Sequence, residues 1–366
     1  MSQIGVRRIS LTLSAAFAAC ACPSRRLATV TATAAPAGSR TAAPFVIAVD
    51  GVAAPSTESS KEFLLSRPSG AYTTARTACG GSRLFEWDTH VRRTAASIAS
   101  MLGSSGSAEL KGALATPEAL RLRLDVTVAA AVREFKAAHG LSDARDTDAA
   151  ELKVTILVTW DEEASGDGAG GGMLGSVACH IAPLPRLPAP PVRVEVRGAP
   201  RENAAAKDSA WVSERAPLEA LMRSADVGGD VNELLLTNEA GEIYEGSQTN
   251  FFAIVDGAVH TAGEGVLEGT VRRLLLEVCE REGVPVHLTP PVLAQAATWD
   301  AALISSTSRL LLPIDELYAP AEGLPSGASD LLVRFDNSST GRGALAQQLR
   351  EMVQSEVEAH SAEFLT

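Results

Sequence analysis

Apolar residues recur along this chain with two periods, and the points where the period changes mark its elements. Phe45-Val46-Ile47-Ala48-Val49 is a β-rich run closed by the turn pair Asp50-Gly51, and Gly70 to Thr77 predicts a further strand before a turn at Gly80-Gly81. His90, Val91, Ala95, Ile98 and Met101 then repeat at helical spacing, with Asp88 placed to cap that helix. Thr116-Pro117-Glu118 opens another helix, with proline at its first position, running to about His139 either whole or broken near Val126. Strands are predicted over Leu152 to Trp160 and Val177 to Ile181. Between them Gly166, Gly168 and Gly171 match G-x-G-x-x-G. A dinucleotide loop must open a helix onto the phosphates, whereas both flanks here are strands, so a glycine-rich hairpin tip is expected.

Residues 183–191 contain prolines at 183, 185, 188, 190 and 191, a stiff stretch that marks a domain boundary. Beyond it strands are predicted over Val192 to Val196, Glu233 to Thr237, Phe251 to Val255, Val259 to Thr261 and Ala301 to Ser305. Helices are predicted over Ser209 to Met222, Gly269 to Glu282, and Gly343 to about Phe364. The expected organisation is a leader over 1–44, an N-terminal domain over 45–182, a linker over 183–191 and a C-terminal domain over 192–366. Strands and helices mix on both sides of the linker, so the class is α/β or α+β.

A length of 366 residues supports two ordinary cores. The formal net charge of −12 excludes a basic field for nucleic acid or an anionic membrane, so an anionic ligand needs a local grip. The five cysteines (20, 22, 79, 179 and 279) form no disulfide framework, and the last three show no metal-ligand spacing; a reducing compartment and no metal are expected. Residues 1–44 carry five arginines, no lysine and no acidic residue, a composition typical of organelle transit peptides, plastid ahead of mitochondrion. Arg7-Arg8 before an apolar run from Ile9 to about Ala21 also fits a secretory signal. Ala15-Ala16-Phe17-Ala18 resembles the bipartite presequences of some algal plastids. That run is too short for a permanent membrane helix, so the mature protein is expected to make no membrane contact.

Asn232 to Phe252 has the pattern of a hairpin with its turn at Glu239-Ala240-Gly241. Its second strand breaks into the polar run Glu245-Gly246-Ser247-Gln248-Thr249-Asn250, which is either a solvated loop or the rim of a site. Downstream stand Asp256-Gly257, the box Leu267-Glu268-Gly269-Thr270-Val271-Arg272, and the run from Ile304 to Ile314 that contains Ser306-Thr307. These three boxes, in this order within about 70 residues, resemble the class IV aminotransferases, the family of branched-chain and D-amino acid aminotransferases and aminodeoxychorismate lyase. The resemblance spans Phe45 to the C-terminus and is clearest from Val192 to Ile314.

The resemblance implies a two-domain fold with pyridoxal 5′-phosphate (PLP) at the domain interface, held as a Schiff base. The family's lysine lies some 30 to 40 residues before its glutamate, which points to Lys207; after Lys153 the chain has no other lysine. By the same resemblance Glu245 faces the pyridine nitrogen, and Arg93, in His90-Val91-Arg92-Arg93, supplies charge to the phosphate. Ser247, Asn250, Leu267, Gly269, Thr270, Val271, Ser306 and Thr307 complete the implied cofactor site, and Tyr72 and Arg76 the substrate pocket. A lysine beside cations and out of water loses its proton more readily, and the bound ring acts as an electron sink. Val271 stands where many relatives have threonine. Val212 stands where the branched-chain enzymes have a tyrosine five residues after the lysine, which argues against branched-chain specificity; Trp211 is beside it. The implied function is amino transfer between an amino acid and a 2-oxo acid by a homodimer. The alternatives are a lyase releasing pyruvate and a non-catalytic PLP-binding or scaffold homologue.

Overall fold

The computed structural model describes residues 43–104, 106–141, 151–161, 174–222, 230–321 and 330–363. Residues 1–42 of the leader expected over 1–44, and the glycines at 166–172, lie outside the described residues. The chain enters through a hairpin of β1 (Phe45–Val49) and β2 (Val52–Ser56), whose turn residues Asp50 and Gly51 both have positive φ. After α1 (Ser60–Leu65), capped by Ser59 and Glu62 in a reciprocal box, come β3 (Ala71–Ala78) and β4 (Arg83–Phe85). Three helices follow, α2 (Trp87–Leu102), α3 (Ala108–Leu114) and α4 (Pro117–His139), then β5 (Leu152–Thr159) and β6 (Ser176–Pro183).

These strands form an antiparallel sheet in the order β4-β3-β5-β6-β1-β2. Successive side chains leave a strand on opposite faces. Ala71, Ala75, Val154, Ile156 and Val158 therefore pack one face against α2, α3 and α4, while Tyr72, Leu157 and Ala178 share a separate apolar cluster on the other. Helices α2, α3 and α4 cover that first face, while α1 packs on part of the other through Phe63 and Leu64. The opposite face, carrying Tyr72 and Thr74, is left to wall a cavity.

Residues 184–192 carry no regular secondary structure. The second half contains β7 (Arg193–Val196), α5 (Ala210–Glu214), α6 (Ala216–Leu221), β8 (Glu233–Thr237), β9 (Ile243–Gly246), β10 (Asn250–Val255), β11 (Ala258–His260), α7 (Thr270–Glu282) and β12 (Val286–His287). A short 3-10 segment (Leu293–Thr298) leads to β13 (Ala301–Ser306), β14 (Leu310–Pro313), β15 (Glu316–Ala319), β16 (Leu331–Arg334), α8 (Ala344–Ser355) and β17 (Ser361–Glu363). Its mixed sheet runs β12-β11-β10-β9-β8-β7-β15-β16, with β13 paired to β10 and β14. Helices α7 and α8 cover one face through Leu274, Leu275, Val278, Leu349 and Val353.

Several elements depart from the pattern expectation. The helix of residues 87–102 starts one residue before Asp88, with Glu86 at the cap position in the left-handed region; Asp88 pairs instead with Arg121. Helix α4 is unbroken at Val126, whose side chain sits beside the Gly51 turn. The helix expected over 209–222 is split at Arg215, because Pro217 has no N–H to donate to the preceding turn. The closing helix ends at Ser355, and β17 pairs with β4, so the chain's last described strand belongs to the first sheet. Among the described residues, no helix is long and apolar enough to cross a membrane, and no cluster of three or more His, Cys, Asp or Glu could hold a metal.

Candidate active site

The segment Lys207-Asp208-Ser209 docks onto the end of β3. Tyr72 N donates to Lys207 O at 2.9 Å and Ser209 N to Gly70 O at 2.9 Å, while Lys207 N donates to Ser97 Oγ on α2 at 3.1 Å. The lack of a side chain at Gly70 lets β5 close in at the same point: a Cβ there would lie 2.2 Å from Val158 O. A lysine from the second half of the chain is thereby fixed by backbone bonds to the first sheet and its helix. Its side chain lines a cavity of about 390 Å³ with Tyr72, Arg93, Glu245, Asn250 and Thr270.

Lys207 Nζ sits 4.5 Å from the centroid of the buried Tyr72 ring. Burial brings its pKa down to about 8; Tyr72 opposes the change, and Arg93, Arg201 and Arg215 reinforce it. Glu245, 3% exposed, accepts from Arg201 Nε at 2.8 Å and Nη2 at 2.7 Å on one oxygen, and from Leu267 N at 3.1 Å on the other. Burial still holds its carboxyl above the usual range, outweighing Arg201, the Leu267 amide and Lys207, which all favour the anion. Three donors on a carboxylate leave it an acceptor position for a further partner.

The opposite end of the cavity is built for an anion. Gly269, at the cap position of α7, has extended backbone, and the first N–H groups of the helix have no partner within it. Leu267 is clamped there: its N–H reaches Glu245 and its carbonyl accepts from Asn250 Nδ2 at 2.7 Å. Thr270 Oγ1 lies 3.0 Å from Thr307 Oγ1, which puts two hydroxyls together at the helix start. Arg93 donates to Glu268 O at 3.2 Å and to Thr73 Oγ1 at 3.0 Å, aiming its guanidinium at the same helix start. Burial lowers its pKa to about 10, against the pull of Tyr72. Ser306 lines the cavity while its hydroxyl accepts from Arg309 N at 3.2 Å. Ser247 also lines it, but its hydroxyl is committed to the buried Glu233 Oε1 at 2.7 Å.

Tyr72 therefore lies beside Lys207, but Arg76 does not share that cavity. Four residues along a strand is about 13 Å, and Arg76 lines a separate cavity of about 190 Å³ with Arg309 and Arg350. Val212 is buried among Phe63, Leu64, Tyr72 and Leu157, a packing position without chemistry. Sequence reasoning missed Arg201 and Arg215. Arg201 lies in a loop six residues before Lys207, where no period selects it. Lys207, Trp211 and Arg215 do stand four apart, the spacing of one helix face, and that signal was available. Trp211 donates from Nε1 to Ser247 O at 2.8 Å, with the Arg201 guanidinium 5.4 Å from its ring centroid.

The residues present fit PLP. A buried lysine, a buried carboxylate with a free acceptor position and an anion-binding helix start face one space, and the buried Arg93 Nε, Thr249 Oγ1 and Ser305 Oγ that line it have no partner among the described residues. The fold resembles branched-chain aminotransferase from Thermoproteus uzoniensis with norvaline (TM-score 0.59, 20% identity, covering 86% of this chain and 95% of that one). It also resembles a hypothetical aminotransferase from Mycobacterium tuberculosis in its PLP-bound form (TM-score 0.57, 16% identity, covering 86% and 99%). A Methanocaldococcus jannaschii protein named as a branched-chain-amino-acid aminotransferase is 27% identical over 89 residues, which span 24% of this chain and only 31% of that relative. The family model for amino-transferase class IV matches residues 70–317, well over half of the chain, and with the site just described this establishes that the chain belongs to the class IV aminotransferase family.

Proposed function

We propose that this protein is a PLP-dependent aminotransferase that moves an amino group between an amino acid and a 2-oxo acid. The observation that carries the reading is the convergence of Lys207, Glu245 and the start of α7 on one cavity. Lys207 would hold the cofactor covalently through its amine, Arg93 with the Thr270 and Val271 amides would hold its phosphate, and Glu245 would face its ring nitrogen. When bound, the cofactor supplies a sink for the electron pair left at the substrate α-carbon. The protein's own part is acid–base chemistry and electrostatics. Lys207 Nζ, neutral in a useful fraction near pH 8, takes the α-proton as general base and returns it as general acid. Glu245, buried against Arg201, keeps negative charge where the ring nitrogen is to be protonated.

The test is covalent and spectroscopic. Purified protein with PLP should give a borohydride-stable adduct located at Lys207 by peptide mass spectrometry, absent from Lys207→Ala. Adding single amino acids from a panel should discharge the cofactor absorbance, and a 2-oxo acid should restore it. No adduct at Lys207, or no response to any amino acid, would sink the proposal.

A further inference from the structure

Glu86 opens α2 in a conformation that residues with a Cβ seldom adopt, at φ 54°, and its side chain is buried. Backbone strain of this kind persists only where the surroundings hold it, and here both the backbone and the carboxylate are held. The Glu86 N–H donates to His360 O at 2.8 Å, and its carbonyl accepts from His90 N at 3.0 Å. On the carboxylate, Oε1 takes His360 Nδ1 at 2.7 Å, while Oε2 takes Thr89 Oγ1 at 2.6 Å and the Arg273 guanidinium. His360 stands directly before β17, whose pairing with β4 brings the C-terminal segment to this point. The start of α2, the first turn of α7 and the C-terminal segment therefore meet on one buried carboxylate.

Arg273 is the residue whose N–H closes the first turn of α7, donating to Gly269 O at 3.0 Å. That turn carries the Thr270 and Val271 amides. A second tie lies further along α2, where Arg93 Nη1 donates to Glu268 O at 3.2 Å. Residues 86 and 93 are seven apart and stand on one side of the helix. A single face of α2 thus grips the opening of α7 at two points, Glu268 and Arg273. We propose that Glu86 is a positioning residue for the cofactor phosphate: through Arg273 it fixes the first turn of α7 against α2, so that the helix amides and the Arg93 guanidinium converge on one anion. This inference rests on the start of α7 being the phosphate site of the function proposed above. Glu86 is not among the residues lining the cavity, and it acts only through Arg273. Without Glu86, Arg273 keeps Glu277 on its own helix, a pair that ties α7 to nothing else.

Two ligands isolate this role: PLP, and pyridoxal, which has the same ring and aldehyde but no phosphate. In the full chain carrying Glu86→Gln or Arg273→Met, the PLP dissociation constant from fluorescence titration should rise roughly tenfold, the scale of a lost hydrogen bond between charged groups, while that for pyridoxal stays within about twofold. Arg273→Lys, which keeps the charge, should regain most of the loss. Because the two residues form one link, Glu86→Gln combined with Arg273→Met should weaken PLP no further than Arg273→Met alone. General loosening of the fold lowers affinity for both ligands alike. Equal losses for PLP and pyridoxal, an unchanged PLP affinity in both single variants, or losses that multiply in the double variant each overturn the proposal. None of these results removes the borohydride adduct at Lys207, whereas an unaltered chain that forms no adduct takes down the underlying function as well.

Discussion

Arg201→Met is the perturbation whose outcome follows most directly from the geometry. Arg201 supplies two of the three donors on the Glu245 carboxylate, both to one oxygen, at 2.8 and 2.7 Å. Glu245 is 3% exposed, so without Arg201 it keeps only the Leu267 amide as a hydrogen-bond donor. Removing one partner of a buried ion pair costs about 3–5 kcal/mol, because a charge is left uncompensated. At about 2 °C per kcal/mol for a chain of this length, that is a fall in Tm of roughly 6–10 °C. The carboxyl's pKa in the fold is already above its unfolded value, so its ionisation opposes folding. Its contribution is fully present below the unfolded pKa and is lost as pH rises through the folded one. Removing Arg201 raises the folded pKa further. The penalty of the variant should therefore be smaller at pH 5 than at pH 8, because protonation of Glu245 relieves the uncompensated charge. Thermal unfolding followed by circular dichroism at both pH values measures this, with Arg201→Lys falling between. Equal losses of Tm at pH 5 and pH 8, or a loss below about 1 kcal/mol at pH 8, would refute the account of Glu245 as a buried carboxylate held by Arg201.

Two further outcomes follow. A Cβ on Gly269 would lie 2.1 Å from Asn250 Oδ1, so Gly269→Ala must displace either the Asn250 amide that clamps Leu267 or the loop that opens α7; PLP affinity, read by fluorescence titration, should fall at least tenfold, and Asn250→Ala in the same chain should recover part of it. The rate at which the cofactor-free chain captures PLP should climb about tenfold per pH unit and level off above about 8, since only the neutral amine of Lys207 reacts; a plateau reached only near 10 would show an unperturbed lysine.

The local pattern of this chain determined most of its elements, and the resemblance of its boxes to the class IV aminotransferases pointed to its reactive groups. The β-rich runs of Leu152–Thr159 and Asn250–Val255, and helical spacing in Trp87–Leu102 and Thr270–Glu282, reflect one-sided or complete burial, which a short window of sequence records. The boxes around Glu245 and Gly269 were legible because the backbone there is shaped by residues adjacent in sequence: Leu267 is tied to both Glu245 and Asn250 within 22 residues. What only the tertiary structure decided depends on partners far along the chain. Lys207 is fixed by Gly70, Tyr72 and Ser97, more than a hundred residues earlier, and β17 joins β4 although nothing near Ser361 distinguishes it from the end of a helix. Arg201 and Arg215 have the side chains of ordinary surface arginines. The role of Arg201 comes from the carboxylate that the fold brings against it, Arg215 lines the same cavity, and Arg76 is drawn to a different one by the same long-range geometry. Periodicity reports whether a side chain is buried; which group it is buried against is set by strand pairing and helix docking, whose contacts leave no local trace.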